Sequence, residues 1–261
     1  MKLLFQSDDY GFTEAVTEGI LKSIKDGIVR NTGLFVNMPS SLMAAEKIKN
    51  IPHISVGIDV NIVAGTPVTK DVSRISSLVN EKGEFRTSGE RVAQVKETGE
   101  DPYVYEEVLL ETRNQVQLFI ELMGRKPAYI HPHSFMSANY MKAMSEVAKE
   151  QGVYFSMELL QAGKFHMLDC DWNPKPFPIE KQAVTDVEGN LLRELSKVLD
   201  KEIVFAGGHC GYVDDELLKF STYSLIRCKD LSAATSPKIK KFIEDNSVEL
   251  ISYDDLKGIG I

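Results

Sequence analysis

The chain opens with the stretch Leu3-Leu4-Phe5-Gln6-Ser7-Asp8-Asp9-Tyr10-Gly11. Its apolar start is typical of a strand that is buried on both faces of a sheet. Two neighbouring acids follow, and two adjacent carboxylates are stable only where a cation or a shared proton lies near them. Because ligands bind at the carboxyl ends of strands in α/β proteins, the stretch predicts a central strand and an active site that holds a metal ion.

Further apolar runs alternate with amphipathic segments such as Tyr105–Met123, which ends just before Gly124. This rhythm predicts an α/β fold with a mostly parallel sheet. About seven strands favour a barrel, distorted or incomplete, over an open sheet, although periodicity alone does not decide between them. The predicted strands are Lys2–Gln6, Gly33–Val36, Ser55–Val60, Ala128–Ile130, Val153–Ser156, Ile203–Ala206 and Glu249–Ser252.

Two segments interrupt the rhythm of strands and helices. They cover Ala64–Pro102, which is polar and rich in glycine, and Leu160–Asn190, which contains Trp172 and several prolines. Long irregular insertions in a compact domain are commonly functional lids. We therefore predict a single domain over residues 1–261 with irregular insertions near 64–102 and 160–190.

Composition excludes several classes of function. The 261 residues carry a net charge of −8, which argues against binding to nucleic acid through phosphate neutralisation. No apolar run approaches the roughly 20 residues that span a bilayer, and Lys2 is not followed by a signal peptide. We expect a cytoplasmic protein with no membrane partner. Three widely spaced cysteines, at positions 170, 210 and 228, predict neither a disulfide framework nor a zinc finger.

Polar residues follow several of the predicted strands. His131 and His133 come after one strand, two apart on an extended segment, so their side chains point the same way. Asp59 and Asn61 end another strand, where strand-end capping and turn formation are the simpler explanation of this pair taken alone. His209 lies in the glycine-rich segment after a third strand and could act as a general acid or base. Because a parallel barrel gathers strand ends on one rim, these clusters together predict an enzyme.

Cys210 raises the alternative of a cysteine hydrolase that uses the neighbouring His209. Adjacent residues on an extended segment point to opposite faces, so the two are poorly placed to pair. A small apolar filler is the simpler interpretation of this cysteine.

The ordered motifs resemble the YdjC-like carbohydrate deacetylases over nearly the whole chain. The family's Ala-Asp-Asp-Phe-Gly, Gly-Leu-His-Leu-Asn and His-Ile-Asp-Ser-His-x-His correspond to residues 7–11, 57–61 and 129–135 here. Its late His-Pro-Gly-Tyr corresponds to residues 209–212, and an arginine before the last helix matches Arg227. The resemblance implies a distorted TIM-like barrel and hydrolysis of an N-acetyl group from an amino sugar or short chitooligosaccharide.

The resemblance also implies roles for individual residues. Asp8 would be the general base, and His209 would act as the acid or stabilise the oxyanion. Asp9 and His133 would bind one divalent metal. The family's histidine ligand in the second motif is Asp59 here. A set of Asp9, Asp59 and His133 would favour Mg²⁺, with zinc or manganese as alternatives. Two other outcomes stay open: His131 supplies the missing imidazole, or the metal site is lost and the protein has another role.

Substrate contacts are expected from aromatic residues beside these clusters. Tyr10, Trp172 and Tyr212 are the candidates, and Asn61 and Arg227 are further candidates for the site. The expected partner is a small carbohydrate, and the family suggests a homodimer. Alternatives are another metal-dependent amide or ester hydrolase on the same barrel and a non-catalytic sugar-binding relative.

Overall fold

The computed structural model describes residues 1–169 and 177–259. It contains a parallel sheet that curls into a half-barrel with helices packed around it. The strands of the described residues are β1 Lys2–Tyr10, β2 Asn31–Leu34, β3 Ser55–Val60, β4 Tyr129–Pro132, β5 Tyr154–Phe155, β6 His166–Met167, β7 Ile203–Gly208 and β8 Glu249–Ile251. Their pairing order is β5-β4-β3-β2-β1-β7-β6, and β8 pairs with the first residues of β1. The predicted α/β class and the distorted TIM-like barrel are confirmed.

Twelve α-helices connect and cover the strands of the described residues. Several begin at a side-chain cap, as α1 does at Thr13. Others end at a glycine in the left-handed conformation, as α4 does at Gly124. The helices are α1 Glu14–Asp26, α2 Ser41–Ile48, α3 Ser88–Thr98, α4 Tyr105–Met123, α5 Ala138–Gln151, α6 Ser156–Gln161, α7 Ile179–Val184, α8 Val187–Ser196, α9 Asp215–Phe220, α10 Leu225–Thr235, α11 Pro237–Asp245 and α12 Tyr253–Leu256.

The two insertions are more ordered than the sequence predicts. The first contains helix α3, which begins at a capping box formed by Thr87 and Glu90. The second contains β6, which pairs with β7, and helices α7 and α8. Both segments therefore contain short elements, which depend on tertiary pairing and leave a weak periodic signal, while the rest of their described residues lie outside helices and strands.

Central strand β1 organises the core. Leu3 and Phe5 join the main cluster of buried apolar residues, while Leu4 joins a second cluster that includes Tyr129 and Tyr253. Alternate residues of a strand face opposite sides, so β1 is buried on both faces. This explains its continuous apolar sequence. Within the described residues, no helix has the length and apolar character needed to cross a membrane.

Candidate active site

The end of β1 is irregular, and this irregularity aims two acids into one site. The pairing register between β1 and β2 shifts between Ser7 and Tyr10. At the same place Asp9 has a left-handed backbone with φ 73°, a conformation that costs a non-glycine residue roughly 1–2 kcal/mol. Neighbouring side chains of a regular strand point to opposite faces, but such an irregularity re-aims one of them. Asp8 and Asp9 can therefore both face the two histidines of this region, His131 within β4 and His133 directly after it.

The Asp9 carboxylate is buried between an arginine and a histidine. Its Oδ2 atom accepts a hydrogen bond of 2.7 Å from Arg227 Nη2. Its Oδ1 atom lies 2.9 Å from His133 Nδ1, yet has no well-aligned hydrogen-bond partner among the described residues. Burial alone raises the pKa of Asp9, but the charges of His133 and Arg227 outweigh it and hold the pKa well below its usual range. Asp9 is therefore an ionised carboxylate with one oxygen available to a further ligand.

Asp8 is the more accessible of the two acids. Its side chain is 15% exposed, whereas that of Asp9 is 1% exposed. The amide of Gln6 donates to Asp8 Oδ1 at 2.6 Å, and Tyr253 in turn donates to Gln6 Oε1 at 2.8 Å. His131 Nε2 lies 3.7 Å from Asp8 Oδ2. The Asp8 carboxylate is thus oriented by a hydrogen bond and accessible to water, as a general base requires.

His131 and His133 take different partners. His133 faces Asp9, while the Nδ1 atom of His131 lies 2.7 Å from Ser156 Oγ and its Nε2 atom faces Asp8. Burial lowers the pKa of His131, although the charges of Asp8 and Asp9 oppose this. His131 therefore belongs to the Asp8 side of the site, as a neutral imidazole at neutral pH.

The side chain of Asp59 contacts the main chain of Asp9. Its Oδ2 atom accepts the Asp9 N–H at 2.8 Å. Its Oδ1 atom fills the space beside Gly33, where an added Cβ would lie 1.7 Å away. Burial, followed by the charges of Asp8 and Asp9, raises the pKa of Asp59 well above its usual range. In the part of the chain that the structure describes, no group of three or more His, Cys, Asp or Glu residues is arranged to hold a metal.

His209 follows β7 on the other side of Asp9. Its main-chain N–H donates to Asp230 Oδ2 at 2.8 Å. Its ring lies 4.9 Å from the ring of Tyr223. Burial lowers the pKa of His209, although the charges of Asp9 and Asp8 oppose this. Before substrate binds at neutral pH, the ring is therefore mostly neutral and must gain a proton before it can donate one.

Two aromatic residues beside the site, Phe12 and Tyr223, are not among the predicted substrate contacts. Phe12 lies 6.0 Å from the His133 ring and 5.7 Å from the Arg227 guanidinium. The ring of Tyr223 lies 5.5 Å from the same guanidinium, and the Tyr223 carbonyl accepts a hydrogen bond of 2.8 Å from Arg227 Nε. These cation–π contacts help to hold the arginine on Asp9. Only the sequence neighbourhood of Arg227 could have indicated Tyr223.

Two predicted site residues serve the fold instead. The amide of Asn61 donates to Asn37 Oδ1 and to the carbonyl of Ala64, and its Oδ1 accepts main-chain N–H groups of the following loop. Tyr10 is fully buried and donates to the carbonyl of Ala44 at 2.8 Å. The prediction that Tyr10 contacts substrate is wrong, because its ring and hydroxyl are committed to the core.

The remaining aromatic candidates have different outcomes. Tyr212 is 42% exposed just after the His209 segment, so its role as a substrate contact stays a prediction. Trp172 lies outside the described residues.

Cys210 does not have the properties of a nucleophile. Its side chain is buried, and burial raises the pKa of its thiol to about 12. A thiol in this state holds almost no reactive thiolate at neutral pH. The cysteine hydrolase alternative is therefore disfavoured.

A cavity of about 920 Å³ lies at the opposite end of the sheet. Ile54 and Glu249, which stand at the amino ends of β3 and β8, are part of its lining. The chemistry-bearing residues described above are absent from that lining, so the active site is assigned to the carboxyl ends of the strands.

Asp9 and His133 form a donor pair that suits a divalent cation. Asp9 Oδ1 is a buried oxygen without a hydrogen-bond partner in the described chain, and the His133 nitrogen is its neighbour. Asp8, Asp9 and Asp59 place three carboxyl groups in one region, and burying charge is costly unless it is balanced. Carboxylate and imidazole donors together suit magnesium, manganese or zinc. Asp59 fits less directly, since one of its oxygens already binds the Asp9 N–H.

Comparison with known proteins relates this site to one family. The chain matches the family described as YdjC-like protein over residues 2–245. Carbohydrate deacetylase 2 of Listeria innocua is 31% identical over 259 residues, which cover 98% of this chain and 99% of the relative. A carbohydrate deacetylase of Clostridium beijerinckii is 28% identical over 266 residues, covering 98% and 100% of the two chains.

A solved structure has the same fold. A crystal structure from Enterococcus faecalis, provisionally named a cellobiose-phosphate cleavage protein, superposes with a TM-score of 0.79 over 98% of both chains at 23% identity. The match to the family and the likeness to the Listeria relative both extend over nearly the whole sequence. The chain therefore belongs to the YdjC-like family.

Proposed function

We propose that this protein is a divalent-metal-dependent hydrolase that removes an N-acetyl group from an amino sugar or short chitooligosaccharide. Full-length relatives named carbohydrate deacetylase support the reaction class. The observation that carries the proposal is the position of Asp9 Oδ1, which lies 2.9 Å from His133 Nδ1 and lacks a well-aligned hydrogen-bond partner in the described chain. Asp8 and His209 flank this pair with the side chains that amide hydrolysis needs.

Asp9 and His133 would hold the cation, with Mg²⁺ the first candidate and Mn²⁺ or Zn²⁺ the alternatives. When bound, such a cation polarises a carbonyl and lowers the pKa of water. Arg227 keeps the Asp9 carboxylate ionised and fixed in orientation. Asp59 holds the Asp9 main chain in its left-handed conformation through the hydrogen bond to the Asp9 N–H.

Asp8 and His209 would move the protons. Asp8, oriented by Gln6, takes a proton from the attacking water. The carbonyl carbon gains the water oxygen, and the amide C–N bond then breaks. His209 gives a proton to the departing amine, so acetate and a free amino sugar leave. Because burial lowers its pKa, His209 starts mostly neutral and takes up a proton from solvent as negative charge develops beside it. The proton on Asp8 returns to solvent after acetate leaves, which restores both groups.

Acetate release from N-acetylglucosamine oligomers tests the activity, and calorimetric titration with MgCl₂ or MnCl₂ tests the metal independently. We expect loss of activity in chelator, recovery with metal, and one binding site that is abolished in Asp9→Asn and His133→Gln. The same change at His166→Gln is the control, since His166 is exposed and pairs in register with Val204, near the start of β7. Full activity in chelator would overturn metal dependence, and sugar binding without acetate release in any metal would favour the non-catalytic alternative.

A further inference from the structure

Helix α10 contacts two separate parts of the site through one face. Arg227 and Asp230 are three residues apart, a spacing that places side chains on the same side of a helix. Both are buried, with 2% and 3% of their surface exposed. Arg227 Nη2 binds Asp9 Oδ2 at 2.7 Å, while Asp230 Oδ2 accepts the His209 N–H at 2.8 Å. The helix thus connects the end of β1 to the end of β7.

The segment that carries His209 is held through its main chain. Two glycines, Gly207 and Gly208, precede the histidine, and such residues restrain the backbone weakly. Each of the next N–H groups has a partner from elsewhere in the chain. His209 donates to Asp230, Cys210 to Ser7 Oγ at 3.0 Å, and Gly211 to the carbonyl of Arg227 at 3.2 Å.

Burial of the Asp230 carboxyl group, which accepts the His209 N–H, is unfavourable in free energy. Its Oδ1 atom is buried and, within the described residues, accepts no hydrogen bond. Burial raises the pKa of Asp230 to about 7, although the His209 N–H and the Arg227 charge oppose this. Burying a carboxyl group with one unpaired oxygen costs free energy. Asp230 takes no part in the proton transfers proposed above, and no sequence motif marks it as a site residue.

We propose that Asp230 is a positioning residue that holds the imidazole of His209 in place beside Asp9 by accepting the His209 main-chain N–H. Together with Arg227, it makes α10 the element that keeps the proton donor and the Asp9 carboxylate at a fixed separation. The assignment of His209 as proton donor rests on the proposed function, whereas the positioning itself is a structural statement. A displacement of about 1 Å in a catalytic group can lower a rate by about 100-fold.

Two variants of one residue separate the hydrogen bond from the charge. Asp230→Asn keeps an oxygen that can accept the His209 N–H, and Asp230→Ala removes it. We expect Asp230→Ala to lower kcat by about 10- to 100-fold with KM nearly unchanged, and Asp230→Asn to restore kcat to within about 3-fold of the parent. Asp254→Ala is the control, since Asp254 accepts from Ser55 Oγ at the opposite end of β3.

NMR of the imidazole nitrogens supplies a readout that does not depend on turnover. We expect the His209 ring signals, assigned with His209→Gln, to shift or broaden in Asp230→Ala and to return in Asp230→Asn. Unchanged signals and kcat in Asp230→Ala, or an Asp230→Asn variant as impaired as Asp230→Ala, would overturn the proposal. If the parent protein releases no acetate, the proposed function fails, and the NMR result still decides whether Asp230 positions His209.

Discussion

Two buried carboxylates of this protein, Glu111 and Asp9, differ in how fully they are hydrogen-bonded. Glu111 on α4 accepts four hydrogen bonds, from the N–H groups of Val68 and Thr69, the Thr69 hydroxyl and the Gln115 amide. Asp9 forms an ion pair with Arg227 through Oδ2, while its Oδ1 lies 2.9 Å from His133 Nδ1 without a well-aligned hydrogen bond among the residues that the structure describes.

The difference separates the structural region from the reactive one. Buried polar groups in proteins are nearly always hydrogen-bonded, so an exception needs an explanation. Glu111 fixes the start of the first insertion to α4, and every oxygen is used for that purpose. Asp9, Asp59 and Asp230 each keep a buried oxygen that makes no hydrogen bond in the described chain, and all three lie at the candidate site. Among the buried carboxyl groups of the described residues, unused hydrogen-bonding capacity therefore marks the place where a ligand or proton is expected. Arg91, Tyr103 and Thr112 also have a buried polar atom without a hydrogen-bond partner in the described chain, but these atoms are not on carboxyl groups.

The largest expected effect on activity comes from Asp8→Asn. Removing the general base should lower kcat by about 10²- to 10⁴-fold. Stability should change by less than about 1 kcal/mol, because the amide oxygen can still accept from Gln6. Acetate-release kinetics and urea unfolding measure the two effects. Asp26→Asn, an exposed carboxylate on α1, is the control, and a kcat for Asp8→Asn close to the parent value would remove Asp8 from the mechanism.

Glu111→Ala should lower the stability of the protein and leave its activity nearly unchanged, the reverse of Asp8→Asn. It leaves the N–H groups of Val68 and Thr69 without their acceptor, so we expect a loss of about 3–5 kcal/mol in the free energy of unfolding. The activity of the folded fraction should stay near that of the parent. Urea unfolding with activity measured below the transition checks both. Glu97→Ala on exposed α3 is the control, and an unchanged midpoint would show that the four hydrogen bonds contribute little.

Asp230→Asn should change the pH dependence of stability. The pKa of Asp230 is about 7 in the folded protein against an ordinary value of 3.8. Between these values the unfolded chain loses its proton first, so ionisation favours unfolding and the contribution of Asp230 to stability falls as pH rises from about 4 to 7. Asparagine does not titrate, so the variant should gain on the parent by up to about 4 kcal/mol over this range. A constant difference in unfolding free energy from pH 4 to 8 would contradict this assignment.

The smallest effect is expected at a surface ion pair. Arg113 on α4 is 44% exposed and pairs with Glu146 and Glu150 of α5. Exposed pairs contribute about 0–1 kcal/mol, because water screens the charges and the side chains lose entropy. Arg113→Ala should therefore shift the thermal midpoint by only a few degrees and leave kcat unchanged. A loss comparable to that of Glu111→Ala would show that the exposed carboxylates of Glu146 and Glu150 contribute as much to stability as the buried, fully hydrogen-bonded one.

The sequence predicts the fold and the meeting of distant residues better than their detailed roles. The apolar run before Asp8 and the polar groups after later strands are local signals, and the structure brings Asp9 and His133 together. The prediction that Tyr10 contacts substrate fails because adjacency in sequence does not decide which way a side chain points at an irregular strand end. The burial of Asp230 is not predicted, because a charged residue in a helix is expected to face solvent until its tertiary neighbours are known.

The close approach of Asp59 to Gly33 has a consequence for how this chain can diverge. Any side chain at position 33 would compete with the carboxyl group for the same volume, as the 1.7 Å separation from an added Cβ shows. A lineage that acquires alanine at 33 must therefore shrink or re-orient residue 59 in the same step. The two positions are therefore coupled: an acid at 59 in its present orientation requires glycine at 33.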